Sequence, residues 1–334
     1  MRAVLVGMIT ATLALSACSS SSSESTPQSD LVVYSGRSEE LIGPLMQQFE
    51  QESGLNVEVR YGDTAELAAQ VLEEGDKTPA DIFFSQDAGA LQVLQDEGLT
   101  TTLPADTIKV VPAKFRSADG QWVGTSGRAR VLIYNTDNVD KADLPPSVQE
   151  LVEPQWKGQV AIAPTNASFQ SFVTAMRMTL GEEQTREWLE GMVANDVQKY
   201  ENNSAIVDAV NAGQVEVGLV NHYYLYEKAE ELGADALAAE NAAFAPGDVG
   251  NLVNVAGVAA LELTPAATEF VEFVLSDPAQ DYFAQEVAEY PLVKGVPAKE
   301  GLPPLSEIEA PDVALGELSD LRGTQDLLMD VGLL

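Results

Sequence analysis

Two adjacent phenols, Tyr223 and Tyr224, stand where the sequence changes from one periodicity to another. Before them, Gly213 to Leu219 alternates apolar and polar residues and ends in a short apolar block, the pattern of a buried strand. After them, apolar residues recur at helical spacing through Leu232. Asn221 is a good helix N-cap. The pair therefore falls on the first turn of a helix just past a strand end, and in an open α/β sheet that is where ligands bind. A helix N-terminus also favours negative charge, which would help the two phenols ionise. Phenolate oxygen is a hard, anionic donor suited to a hard, highly charged cation. Taken alone, a tyrosine pair at a helix start is most often aromatic packing, so the rest of the chain has to decide.

The remaining chemistry-bearing residues are few. The chain has one histidine, His222, and one cysteine, Cys18. That excludes the usual His- and Cys-rich zinc or copper sites, and a Ser-His-Asp or Cys-His catalytic arrangement has no partners to draw on. No nucleophile–base pair is present to support an enzyme. His222 precedes the tyrosines, but its side chain lies about 100° around the helix from Tyr223, which suits a surface residue or one behind the ligands. The 334 residues include 52 acidic against 18 basic side chains, a formal net charge of −34. Nucleic acid and anionic membrane surfaces are poor partners for such a chain.

The elements that must position the tyrosines follow from the same patterning. Residues 1–17 read as a lipoprotein signal peptide: Arg2, an apolar run too short to span a membrane, then Leu15-Ser16-Ala17-Cys18. Cys18 would carry the lipid, and residues 18–30 form a serine-rich tether. The chain is thus expected outside the cytoplasm, anchored to the cell membrane and not spanning it. Roughly 300 residues remain, more than one core usually serves. Strands at Leu31–Tyr34, Leu55–Val59 and Asp81–Ser85 alternate with helices, the order of a parallel, doubly wound sheet. A second α/β unit runs from a strand at Val131–Tyr134 through the Tyr223 helix, and Leu252–Leu263 leads back. A last helix is expected over Ala314–Met329. The expected fold is two doubly wound α/β domains, residues 31–130 with 254–305 and residues 131–253 with 306–334. Two crossing segments would make a hinge, with a ligand cleft between the domains.

Several blocks, in order along both domains, are similar to the ferric-ion-binding proteins of bacterial ABC transporters. They are Leu31-Val32-Val33-Tyr34-Ser35-Gly36, Pro79 to Ser85, Ser126-Gly127-Arg128-Ala129-Arg130-Val131, Pro164 to Phe169, Asn203-Ser204, Asn221 to Tyr224, and Glu289-Tyr290-Pro291-Leu292, whose function is less obvious. The resemblance covers nearly all of Leu31 to Leu334. It implies a periplasmic-binding-protein fold of type II that binds iron(III) through Tyr223 and Tyr224. It also implies that Asn166, Ala167 and Ser168 hold a synergistic anion such as phosphate or carbonate, with Asn203 and Asn221 close to the metal. A polar cluster at a helix start is independently an anion-binding device, as well as an ordinary N-cap. Arg128 could balance charge or fix the crossover; for Arg130 a structural role is expected.

The chain departs from the best-known members at two places. Where they place a histidine and a glutamate on the iron, this sequence has Ser38 and Gln86. Glu39 and Asp87, one residue beyond each, are possible substitutes, and solvated carboxylates is the reading preferred for both. The expected function is a monomeric, lipid-anchored binding protein that hands iron(III) or a small iron chelate to a membrane permease. The alternative is the same architecture serving a polyamine, thiamine, sulfate or molybdate.

Overall fold

The structure, a computed structural model, describes residues 29–334. The expected signal peptide, Cys18 and the tether up to residue 28 lie outside the described residues.

β1 (Leu31–Ser35) leads into α1 (Glu39–Ser53), whose Ile42, Leu45, Met46 and Phe49 recur at helical spacing and are buried. Gly54 ends α1 at φ 73°, a left-handed cap that glycine adopts freely. β2 (Val57–Tyr61), α2 (Thr64–Glu74), β3 (Ile82–Ser85) and α3 (Ala88–Asp96) continue the alternation. A single turn, α4 (Ala105–Ile108), precedes the long strand β4 (Val123–Asn135). Next come β5 (Val160–Ile162), α5 (Ala167–Leu180), α6 (Glu182–Ala194), β6 (Gln198–Lys199) and α7 (Asn203–Asn211). They are followed by β7 (Val217–Asn221), α8 (Tyr223–Leu232), β8 (Ala239–Ala242) and β9 (Val253–Ala260). α9 (Pro265–Val274), α10 (Asp277–Gln285), β10 (Tyr290–Pro291) and α11 (Leu321–Asp330) complete the chain.

Two sheets share one strand. In the first, β2, β1 and β3 are parallel neighbours, and β9 then β4 add antiparallel. In the second, β6, β5 and β7 are parallel and β7 pairs antiparallel with β4. β4 thus runs through both: Arg128 pairs with Asn254 in the first sheet, and Arg130 pairs with Asn221 in the second. Both sheets are mixed, not purely parallel: β9 enters the first against the direction of its βαβ unit, and β4 enters the second against the direction of its own. The sequence pattern marked only Val131–Tyr134 of this strand. Its first half, Val123 to Arg130, carries glycine, serine and arginine and shows no apolar alternation, yet all of it is buried between layers.

Each sheet has its own aromatic packing. Phe49 meets Phe270 and Phe273 at ring-centroid distances of 5.2 and 5.1 Å, and Phe172 meets Trp188 at 5.9 Å. The expected helix over Ala314–Met329 is instead a 3-10 turn, Leu315–Ser319, followed by α11. Asp320 divides them because its side chain accepts the Gly323 N–H and so caps α11. The turn lies on α3, where a Cβ at Gly89 would come within 2.5 Å of the Leu318 carbonyl oxygen. α11 lies on α5, through Thr174–Thr324 and Gln170–Gln325 hydrogen bonds.

Candidate metal centre

Asn221 does not cap α8. The Arg130–Asn221 rung keeps it as the last residue of β7, and its backbone N–H donates to Asn203 Oδ1 at 3.1 Å. His222 makes the turn, and Tyr223 and Tyr224 open the helix. Tyr223 is fully buried, and Tyr224 is half-buried on a cleft of about 560 Å³. The two rings stack at 4.3 Å with 30° between their planes. Gly36, Ser38 and Gln86 line one wall of the cleft; Asn166, Ala167, Gln170 and Tyr224 line the other, with Gln325 bonded to Gln170. The walls touch where Gln86 Nε2 donates to the Tyr223 hydroxyl at 3.4 Å. Ser38 is exposed on the rim.

The ionisation expected of the phenols meets a stronger opposing effect. Burial raises the pKa of Tyr223, against the pull of the Arg128 guanidinium and, less, of Arg37. Tyr224 lies well above its ordinary value, again through burial first and then through its neighbour Tyr223. Desolvation of an anion outweighs the helix pole here, so without a cation both phenols stay protonated. Glu227, one turn along α8, is likewise pushed up, to about 7, by burial and then by the Glu289 carboxylate.

At the α5 N-terminus one side-chain acceptor gathers three donors. Asn166 Oδ1 accepts the Ser168 N–H at 3.0 Å, the Ser168 hydroxyl at 2.6 Å and Asn203 Nδ2 at 3.1 Å. Arg130 reaches Ser168 Oγ at 3.5 Å and donates to the Leu219 carbonyl at 3.1 Å. Its guanidinium also stacks against Phe172, 4.9 Å from the ring centroid. Burial and then Arg128 lower its pKa to about 9. Arg130 therefore staples β4, β7 and α5 together. Arg128 is different: it donates to the Gln86 carbonyl, but its Nε and Nη1 are buried without partners.

Among the remaining sequence readings, Asp87 departs from expectation and Glu39 does not. Asp87 is not solvated; it is buried and caps α3 by accepting the Ala90 N–H. Glu39 is exposed in the first turn of α1. His222 is not a surface residue: it is 2% exposed, and burial lowers its pKa to about 4, so it is neutral. Of the two places the helical angle allowed, the surface and behind the tyrosines, His222 takes the second. Sequence reasoning also missed the buried Arg37–Glu289 ion pair, whose partners are 252 residues apart. Among the described residues, no group of three or more His, Cys, Asp or Glu is placed to hold a metal ion. A metal site here would have to rest on the phenols.

Residues 77–313 match the model of the family described as bacterial extracellular solute-binding protein. The chain belongs to this family. It is 30% identical to the Fe(3+)-binding periplasmic protein of Serratia marcescens over 308 residues, 91% of this chain and 90% of that one. It is 32% identical to the major ferric iron-binding protein of Neisseria meningitidis over 312 residues, 91% and 93% of the two chains. The structure of iron-bound HitA from Pseudomonas aeruginosa superposes with a TM-score of 0.86 at 33% identity, covering 90% of this chain and 99% of that one. A Trichodesmium protein in complex with iron and citrate superposes at 0.78 and 28% identity, covering 90% and 99%. The resemblance to periplasmic ferric-ion-binding proteins and the two-domain α/β binding-protein fold are thereby borne out. This solute-binding protein shares its fold with proteins of extracytoplasmic iron uptake.

Proposed function

We propose that this solute-binding protein captures iron(III) in the cleft between its two α/β domains and delivers it to an ABC permease. Tyr223 and Tyr224 are the metal ligands. The observation that carries this reading is the stacked pair of phenols at the α8 N-terminus, one sealed beneath the cleft and one facing it. Iron displaces both phenolic protons, because a bound cation reverses the local pKa balance. Two phenolates leave one positive charge on iron(III), and the unpartnered guanidinium edge of Arg128 adds another. A phosphate or carbonate seated at Asn166, Ala167 and Ser168 would balance this charge. Asn203 and Asn221 hold that loop against the β7 end, and Ser38 and Gln86 face the metal without replacing histidine and glutamate as strong ligands.

In this reading the domains are residues 31–130 with 254–305 and residues 131–253 with 306–334, and they close over iron. Cys18 carries the lipid that holds a monomer at the outer face of the cell membrane. The test is a visible spectrum of the purified protein after addition of iron(III) citrate. Phenolate-to-iron charge transfer gives a coloured complex; a colourless protein that leaves iron with citrate overturns the reading.

A further inference from the structure

His222 and the Glu289-Tyr290 signature meet at one place, behind the tyrosines. The imidazole Nδ1 accepts the Ala129 N–H at 3.2 Å, and Nε2 donates to the Ala288 carbonyl at 2.8 Å. This fixes one neutral tautomer, with the proton on Nε2. The His222 backbone N–H also donates to the Ala129 carbonyl at 2.9 Å. The ring thus continues the β4–β7 pairing by one rung at the point where β4 passes between the sheets. Its face stacks on Tyr290 at 4.8 Å, and Tyr223 meets it edge-on at 5.8 Å.

The segment that receives His222 is itself tied down. Ala288 is held at φ 57°, a strained conformation for a residue with a Cβ. That turn aims its carbonyl at His222, while the next residue, Glu289, turns the other way. Glu289 grips Arg37 in a fully buried two-point ion pair, at 2.8 and 3.0 Å, and accepts from the Ser126 hydroxyl. Arg37 immediately precedes Ser38 on the cleft rim. One continuous set of contacts therefore runs from the Ser38 loop through Arg37, Glu289 and Ala288 to His222, and so to the residue beside Tyr223.

We propose that His222 is a positioning residue for iron capture, pinning the tyrosine-bearing turn of α8 to the Ala288–Tyr290 segment and, through Glu289 and Arg37, to the opposite wall of the cleft. The inference rests on the tyrosine pair being the iron ligand. Its arms are chemically separable. Gln at 222 places an amide N–H where Nε2 stood and can reach the Ala288 carbonyl. Asn places a carbonyl oxygen where Nδ1 stood and serves only the Ala129 N–H. Phe keeps the stack on Tyr290 and neither hydrogen bond.

The experiment measures iron affinity, the charge-transfer maximum and thermal stability in His222→Phe, His222→Gln and His222→Asn beside the wild type. His222→Phe is expected to weaken iron binding by about 10- to 100-fold, the usual cost of losing a group that orients a metal ligand, and to move the absorption maximum. His222→Gln restores most of both; His222→Asn does not. An unchanged affinity and maximum in His222→Phe overturns the proposal. So do losses of affinity that merely follow thermal stability across all three variants with the maximum unmoved. If His222→Phe does not fold, equal affinities in the Gln and Asn variants overturn it, and a clear advantage of Gln sustains it. A wild type without any charge-transfer band overturns the iron reading itself, and this inference with it.

Discussion

Tyr223 and Tyr224 are held protonated by burial, and two guanidinium groups stand close enough to oppose that effect without overcoming it. On the proposed function, iron(III) would expel a proton from each phenol as it binds. The sign follows directly: both phenol pKa values are raised in the metal-free protein, so lowering the pH favours the protonated, metal-free form. At fixed iron activity, affinity should fall by up to about a hundredfold per pH unit, tenfold for each proton released. Proton release on iron addition in weak buffer measures the count directly; a release near zero would mean that the phenols are not the ligands. Tyr223→Phe and Tyr224→Phe should each cost roughly a hundredfold or more, about 2.7 kcal/mol, while the fold persists. The adjacency of the two phenols made them legible in the sequence. The Arg37–Glu289 pair was not, because nothing local marks two charges that meet only after folding. His222 was half legible: the helical angle left it on the surface or behind the tyrosines, and only the fold, which stacks it on Tyr290, decides between them.

At the scale of elements, α5 and its preceding turn carry the anion argument. The Asn166–Ser168 segment was legible because an N-cap has a local signature, and the structure shows Asn166 capping α5 through the Ser168 N–H. β4 was half legible: its apolar second half reads as a strand, whereas its first half is buried by neighbours that the sequence window does not contain. If α5 presents its N-terminus to a synergistic anion, stripping both phosphate and carbonate from the buffer should weaken iron binding. Ala167→Asp should weaken it as well, since a carboxylate on the cleft wall repels the anion it displaces. Titration of iron in anion-depleted and anion-replete buffer measures both effects. Affinity indifferent to depletion, in wild type and variant alike, would show that the metal arrives with its shell already complete.

At the scale of the whole molecule, the two walls of the cleft are unequal. One brings the tyrosines and the Asn166–Ser168 turn. The other brings an exposed Ser38 and the neutral Gln86, whose amide touches the Tyr223 hydroxyl. A ligand shifts an open–closed equilibrium only by its differential affinity for the two states. If iron is held mostly by one wall, as proposed, it gains little from closure, and the contacts that favour the closed form are the protein's own. Gln86–Tyr223 spans the cleft directly. The segment from Leu315 to Asp330 joins the walls from outside, resting on α3 at Gly89 and on α5 at Thr174. Installing the missing ligands as Ser38→His with Gln86→Glu should reverse this balance. The double variant should bind iron at least about tenfold more tightly, since each new ligand bond is formed only in the closed state. Small-angle scattering with and without iron should then show a larger contraction in the variant than in the wild type. A wild type that contracts fully on iron, with no gain from the double change, would show that Gln86, Ser38 or bound water already supplies what the histidine and glutamate supply elsewhere.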